Sequence, residues 1–206
     1  MCGISGVYMS GNGPIDPDIV RRMNDALRHR GPDDEGYYAD PQGHIMLGHR
    51  RLSVIDLATG RQPIFNESGT VAVVFNGEIY NFIELRNELI AKGYKFRTNT
   101  DTEVIANLYD EVGVECVHRL RGMFAIAIWD EKRQELILIR DRLGKKPIYY
   151  AETRGGFYFA SEIQSLTEVP GLSREIDECA IDLYLTYSYI PSPWSIYRAI
   201  RNSCKR

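Results

Sequence analysis

Short runs of hydrophobic residues, most of them alternating with polar ones, mark the strands predicted from this sequence. In the first half of the chain they cover residues 4–8, 37–38, 45–47, 52–57 and 71–75. In the second half they cover residues 123–129, 136–139, 147–150 and 157–160. The run at residues 71–75 is apolar throughout, which favours a strand that is covered on both faces.

Other segments repeat apolar residues at the spacing of an amphipathic helix. The residues predicted to cap or precede these helices are Asp16, Asn81, Thr100 and Asp177. Thr100 and Glu103 have the form of a capping box. In the helix after Asn81, the residues predicted to face inward are Phe82, Leu85, Leu89 and Ile90. The last helix is expected to end near Tyr187, and residues 189–193 have the composition of a linker.

The order of these elements predicts the fold class. Strands come in two groups with helices inserted between them, which differs from the strict alternation of a parallel βαβ fold. Several strands are apolar on both faces, so each sheet needs a covering layer on either side. The sequence therefore predicts an α+β domain of four layers, with helices outside two packed, largely antiparallel sheets.

The composition of the chain excludes some classes of binding partner. The net charge of the 206 residues is −3 and no block of Lys or Arg stands out, so neither nucleic acid nor an anionic membrane is expected to bind. The first 30 residues lack the apolar core of a signal peptide. No run approaches the roughly 18 apolar residues of a membrane span. The expected location is cytoplasmic.

The cysteines predict neither a metal site nor a disulfide framework. Cys2, Cys116, Cys179 and Cys204 are far apart and lack the spacing of metal ligands. In a chain without a secretory signal, we expect them to be reduced thiols.

Cys2 differs from the other cysteines, because removal of Met1 would leave a thiol and a free α-amine on one residue. The thiolate is a nucleophile, and the amine, with an unperturbed pKa of about 7.7–8.0, is a base near neutrality. Together they can perform covalent acyl transfer. The alternative is that Cys2 is only a small apolar residue at the start of a strand, and a Met-Cys start alone favours that interpretation.

Five further segments are more polar than a fold requires. In chain order they are residues 28–33, 48–53 and 76–78, the position of Asp101, and residues 140–144. Adjacent strand residues point to opposite faces, so only one of Arg50 and Arg51 should face a given pocket. Asn76 and Gly77 suit either a hairpin turn or an oxyanion hole. Asp101 either stabilises a helix N-terminus or binds an ammonium group.

Taken together, these motifs resemble the glutaminase domain of glutamine-hydrolysing asparagine synthetases, which are class II glutamine amidotransferases with an N-terminal nucleophile. The matching strings are Cys-Gly-Ile from Cys2, Arg-His-Arg-Gly-Pro-Asp from Arg28, Arg-Leu-Ser from Arg51, Asn-Gly-Glu-Ile-Tyr-Asn from Asn76, Thr-Asp-Thr-Glu-Val-Ile from Thr100 and Arg-Asp-Arg-Leu-Gly from Arg140. The resemblance implies the four-layer αββα sandwich of the Ntn hydrolases, in agreement with the pattern of strands and helices.

The resemblance also implies a role for each matching residue. Cys2 would attack the side-chain amide carbon of glutamine while its own α-amine relays the proton. Asn76 and Gly77 would hold the oxyanion, and Arg51 would bind the α-carboxylate. The α-ammonium end would be held by Glu78, Asp101 and the backbone of Leu52 and Val54. No metal or cofactor is implied for this domain.

In the family, a synthetase domain that uses ATP and magnesium follows, and no phosphate loop of that kind is found here. We expect a glutaminase domain at residues 2–187 and a linker at residues 188–206 towards a synthetase domain or subunit. An apolar surface for that partner, or for a homodimer, is expected around residues 140–150, 160–163 and 184–197. The ammonia would then serve asparagine synthesis. The alternatives are another acceptor, such as an amino sugar, and a non-catalytic regulatory remnant of the same fold.

Overall fold

The computed structural model describes residues 1–9, 11, 14–53 and 59–203. The strands are β1 Gly3–Tyr8, β2 Asp34–Ala39, β3 Ile45–Arg51, β4 Ile64–Phe65, β5 Val71–Ile79, β6 Gly122–Asp130, β7 Glu135–Arg140, β8 Tyr149–Thr153, β9 Gly156–Ala160 and β10 Arg201–Asn202. The helices are α1 Pro17–Asp25, α2 Phe82–Ala91, α3 Asp101–Val112, α4 Cys116–Arg119, α5 Ile163–Leu166 and α6 Glu178–Tyr187.

The strands form two antiparallel sheets that pack face to face. The first sheet has the order β10-β8-β9-β1-β3-β2 and the second has the order β4-β5-β6-β7. Helices α1 and α5 cover the outer face of the first sheet, while α3 covers β5 of the second and α2 packs on α3. The predicted four-layer α+β sandwich is therefore confirmed.

Alternation along the central strands fills both interfaces of the sandwich. In β5, Val71, Val73 and Phe75 pack in the cluster beneath α2 and α3. The intervening Ala72 and Val74 lie in the cluster between the two sheets. This is the consequence of side chains pointing to opposite faces of a strand, and it explains the continuous apolar run in the sequence.

Three of the predicted helix caps are confirmed. Side chains of Asp16, Thr100 and Asp177 accept hydrogen bonds from the first turns of α1, α3 and α6. The capping box is only half formed, because the Glu103 carboxylate accepts from the backbone of Arg97 and Thr98. The Thr100 N–H donates to Thr98 Oγ1 instead, at 3.2 Å.

Several predictions made from local sequence patterns are wrong in detail. Ile90 is 50% exposed, so it does not belong to the buried face of α2. Leu52 and Ser53 lie outside any strand, and the rest of the predicted strand at residues 52–57 is outside the described residues. Asn76 and Gly77 do not form a hairpin turn, because β5 continues to Ile79 and stays paired with β6.

The segment predicted as a linker returns to the domain. β10 pairs with β8, the Ser203 N–H donates to Ile148 O at 2.8 Å, and Ile200 is fully buried. Residues beyond Ser203 are not described, and a boundary at residue 187 stays a prediction. No helix in the part of the chain that the structure describes is long and apolar enough to cross a membrane.

Candidate active site

Cys2 lies immediately before β1, which occupies the middle of the first sheet between β3 and β9. Its Sγ accepts from the Leu52 N–H at 3.4 Å and lies 3.8 Å from Leu52 O. On the backbone side, Arg30 Nε donates to Cys2 O at 2.8 Å. The thiol is therefore held at the end of a central strand rather than on a loose terminus.

A cavity of about 220 Å³ opens beside this thiol. It is lined by Met1, Cys2, Arg51, Leu52, Gly60, Gln62, Phe75, Asn76, Gly77, Glu78, Thr100, Asp101, Thr102, Met123 and Lys146. All the predicted site residues that the structure describes are among them. Val54, the remaining one, lies outside the described residues.

Asn76 and Gly77 come from β5 and line this cavity together with Cys2. Asn76 is buried, and its Nδ2 has no hydrogen-bond partner among the described residues. Burying an amide donor without a partner costs about 1–3 kcal/mol, so such an atom needs an explanation. At Gly77 a Cβ atom would come within 2.1 Å of Met123 O, which excludes any other residue unless the strands move apart.

The two neighbouring arginines of β3 point to opposite faces, as predicted. Arg51 is buried and lines the cavity. Arg50 points towards α1, where Nε donates to Asn24 O at 3.1 Å and the guanidinium pairs with Asp25 and Glu35. Of these two arginines, Arg51 is therefore the one placed to meet a molecule in the cavity.

Acidic residues line the same cavity. Asp101 begins α3 and is buried, whereas Glu78 at the end of β5 is exposed. Burial raises the pKa of Asp101 to about 6, although the N–H groups of Ile79 and Thr102 oppose this shift by donating hydrogen bonds. The cavity therefore combines a thiol, a guanidinium and carboxylates.

Two buried side chains that were not predicted as site residues, Gln62 and His49, fix the lining in place. Gln62 Oε1 accepts from the Phe75 N–H at 2.6 Å, and its Nε2 donates to Thr102 Oγ1 at 3.3 Å. His49 Nε2 lies 3.2 Å from Phe75 O, and burial lowers its pKa to about 3, so the ring is neutral and donates this bond. These bonds join β5, next to Asn76, to β3 and to the start of α3.

Lys146 is another buried lining residue that was not predicted. Its Nζ lies 3.2 Å from Met1 Sδ, and Arg30 Nη2 lies 3.9 Å from the same sulfur. The carboxylate of Asp141 accepts from the backbone of Lys146 and of Phe124, Leu143 and Lys145. The charged turn after β7 thus serves to position one side of the cavity.

A larger groove of about 730 Å³ lies between β7 and the β8–β9 hairpin. Its lining includes Tyr8, Leu136, Leu138 and Phe157, with Glu135 and Glu152 at its polar positions. None of the residues that line it is a nucleophilic cysteine or an arginine, so the smaller cavity at Cys2 is the stronger candidate for chemistry.

The sequence matches the model of a family described as a glutamine amidotransferase domain over residues 1–204. The chain belongs to this family. The match includes every residue that lines the Cys2 cavity, and it extends through the C-terminal segment that returns to the first sheet.

Named relatives of this glutamine amidotransferase domain are longer proteins. "Asparagine synthetase [glutamine-hydrolyzing] 1" of Bacillus subtilis (strain 168) is 43% identical over a match that covers 94% of this chain and 30% of the relative. "Asparagine synthetase B [glutamine-hydrolyzing]" of Escherichia coli (strain K12) is 38% identical, covering 98% of this chain and 37% of the relative. The chain thus spans about a third of the length of these relatives.

A solved structure supports the fold of the domain. The glutamine phosphoribosylpyrophosphate amidotransferase of B. subtilis aligns with a TM-score of 0.68 over 81% of this chain and 43% of that chain. At 23% identity, this likeness shows the shared fold and nothing about the substrate of the present domain.

The partnerless amide of Asn76 generates a stability prediction. In Asn76→Ala, the penalty for an unpaired buried donor disappears together with the lost packing, so the free energy of unfolding should change by no more than about 1 kcal/mol. Urea unfolding of both proteins measures this.

Asn66→Ala is the matched control, because Asn66 is equally buried and its amide is fully engaged. Asn66 Nδ2 donates to Asp110 at 2.9 Å, and Oδ1 accepts from Thr70 and Val71. The Asn66→Ala variant should lose about 2 kcal/mol or more of its free energy of unfolding. An equal loss in both variants would show that Asn76 has a structural role.

Proposed function

We propose that this domain hydrolyses the side-chain amide of glutamine to glutamate and ammonia, with Cys2 as the nucleophile. The observation that carries the proposal is the meeting, in one cavity, of the Cys2 thiol with the buried, unpartnered amide nitrogen of Asn76. A donor that lacks a partner in the resting protein suits an oxyanion that exists only during the reaction.

The reaction begins with a chain from which Met1 has been removed. The Cys2 α-amine takes the thiol proton while sulfur bonds to the amide carbon, and the carbonyl electrons move onto oxygen. Asn76 Nδ2 and the Gly77 N–H stabilise that oxyanion. When the carbonyl re-forms, the C–N bond breaks and the amine returns its proton to the departing ammonia. Water then cleaves the thioester to release glutamate and restore the thiol.

The charges of the cavity fit the two ends of an amino acid. Arg51 binds the α-carboxylate, for which a guanidinium fork is well suited. Glu78 and Asp101 bind the α-ammonium group with the backbone of Leu52, and Val54 stays a predicted contributor. No step of this mechanism uses a metal or a cofactor. ATP and magnesium belong to the synthetase step.

The acceptor of the ammonia is proposed from the relatives. Both named relatives are asparagine synthetases, and each has more than half of its length outside the match. We therefore infer that this domain supplies a synthetase domain or subunit that makes asparagine, in the cytoplasm. Transfer to an amino sugar and a non-catalytic remnant remain the competing hypotheses, and a measured glutaminase activity would exclude the second.

The surface for such a partner is proposed on and after α6. Tyr184, Leu185 and Tyr189 expose 55%, 74% and 61% of their surface, and several exposed apolar side chains within one short stretch are typical of a protein–protein contact. The stretches around Tyr149 and Ile163, which were expected to share this surface, pack instead against the core of the first sheet. A homodimer through the same face is the second option.

Substitution of the nucleophile tests the proposed chemistry. Cys2→Ala should abolish glutaminase activity while the free energy of unfolding changes by less than about 1 kcal/mol, because a half-buried residue before a strand contributes little packing. Cys2→Ser should be almost as inactive, since a hydroxyl is a far weaker nucleophile. Glutamate release is measured on protein that mass spectrometry has shown to lack Met1. Undiminished release from the alanine variant would contradict the mechanism.

The two arginines of β3 test substrate recognition. Arg51→Ala should raise KM for glutamine at least about tenfold with a smaller effect on kcat, because the α-carboxylate is remote from the reacting carbon. Arg50→Ala is the matched control: it lies in the same strand and is equally buried, but it points towards α1. Steady-state kinetics of both variants show which arginine binds the substrate. A large rise in KM for the Arg50 variant alone would reverse the assignment.

A further inference from the structure

Two residues that directly follow β9 hold the N-terminal strand next to the nucleophile. The Ile4 N–H donates to Ser161 Oγ at 3.0 Å, and the Ser161 N–H donates to Ile4 O at 2.9 Å. Glu162, the next residue, lies outside the lining of the cavity and reaches Cys2 through Arg30. The nucleophile is thus anchored by a part of the chain about 160 residues away from it.

The link through Arg30 consists of two short bonds. Arg30 Nη1 lies 2.6 Å from Glu162 Oε1, and Arg30 Nε donates to Cys2 O at 2.8 Å. The Arg30 side chain is only 7% exposed and that of Glu162 is 26% exposed. A buried guanidinium needs a counter-charge, and its planar shape lets one donor face the carboxylate while another faces the carbonyl.

The position of Glu162 is itself fixed from the other side. Its Oε2 lies 2.9 Å from His29 Nε2 and accepts from Gln164 Nε2 at 3.2 Å. Gln164 Nε2 in turn donates to Ala26 O at 2.9 Å, just after α1. Burial alone would raise the pKa of Glu162, but the hydrogen bonds from Arg30 and His29 lower it, so the carboxylate stays ionised at neutral pH.

We propose that Glu162 is a positioning residue for the nucleophile: through Arg30 it fixes the carbonyl of Cys2, and with it the backbone that carries the thiol and the α-amine. Its effect on rate rests on the proposed glutaminase function, whereas its effect on the N-terminal strand does not. A misplacement of about 1 Å in reacting groups can cost about 100-fold in rate. Glu162 therefore governs kcat and leaves the binding of glutamine to the cavity residues.

The experiment compares Glu162→Gln and Glu162→Ala with the parent protein after removal of Met1. Glu175→Gln is the matched control, because Glu175 also pairs with an arginine, Arg198 at 3.2 Å, but at an exposed site outside the cavity lining. The first readout is hydrogen exchange of the peptide that contains residues 2–4, measured by mass spectrometry. The second is kcat and KM for glutamine hydrolysis.

Both Glu162 variants should exchange the backbone amides of Gly3 and Ile4 at least about tenfold faster than the parent, as expected when a local anchor is lost. Glu162→Gln should lower kcat about 10-fold to 100-fold with KM changed by less than about twofold. Glu175→Gln should match the parent in both readouts. If Glu162→Ala does not fold, the isosteric Gln variant decides.

A double-mutant cycle tests whether Glu162 acts through Arg30. If it does, Arg30→Gln combined with Glu162→Gln should reduce kcat no further than Arg30→Gln alone. If the double variant instead shows the product of the two single reductions in kcat, Glu162 does not act through Arg30 and the proposal is overturned.

The two readouts separate the proposals. Unchanged exchange in both Glu162 variants would overturn the anchor whatever their activity. Faster exchange with an unchanged kcat, or an activity loss that comes only from a higher KM, would overturn the positioning role. A parent protein that releases no ammonia from glutamine would refute the proposed function, while hydrogen exchange would still decide whether Glu162 holds the strand.

Discussion

The arrangement depends on one constraint: a residue next to a chain terminus must be held as firmly as a residue in the core. Hydrogen bonding of β1 on both edges meets this constraint, because β1 pairs with β3 along its whole length and with β9 from Ser5 onwards. Before the pairing with β9 begins, the Ser161 hydroxyl accepts a hydrogen bond from the Ile4 N–H, and Arg30 donates one to Cys2 O. The cost of fixing a terminus is thus offset by contacts drawn from distant parts of the chain.

The second sheet supplies the complementary half of the site. Small residues such as Ala72 and Ala125 lie between the sheets beside larger ones such as Ile4 and Trp129, so the sandwich packs closely. Close packing brings β5 opposite the end of β1. Asp101 Oδ2 accepts from the Ile79 N–H at 3.1 Å, which fixes the start of α3 against the same strand. The proposed oxyanion and ammonium sites are therefore linked through β5.

Much of this could be predicted from the sequence, because the signals are local. Alternation predicted most strands and the layers, and side-chain caps predicted three helix starts. Alternation also predicted that Arg50 and Arg51 face opposite sides of their strand, while the family resemblance identified Arg51 as the one in the site. Ile90 was misplaced because helical spacing does not show how wide the covered face is. Asn76 and Gly77 suggested a turn, and only the pairing of β5 with β6 excluded it. Glu162 and Gln62 left no sequence signal, since the contacts of Glu162 with Arg30 and of Gln62 with Thr102 span 132 and 40 residues.

The most direct measurement is the site of covalent capture. Protein lacking Met1 would be treated with an electrophilic ketone analogue of glutamine, and the adduct located by peptide mass mapping. One adduct per chain on Cys2, prevented by excess glutamine, is the predicted result. Cys116 is buried with its pKa raised to about 11, and Cys179 is exposed outside the cavity lining, so neither should compete. An adduct on another cysteine, or labelling of Cys2 that glutamine does not prevent, would contradict the account.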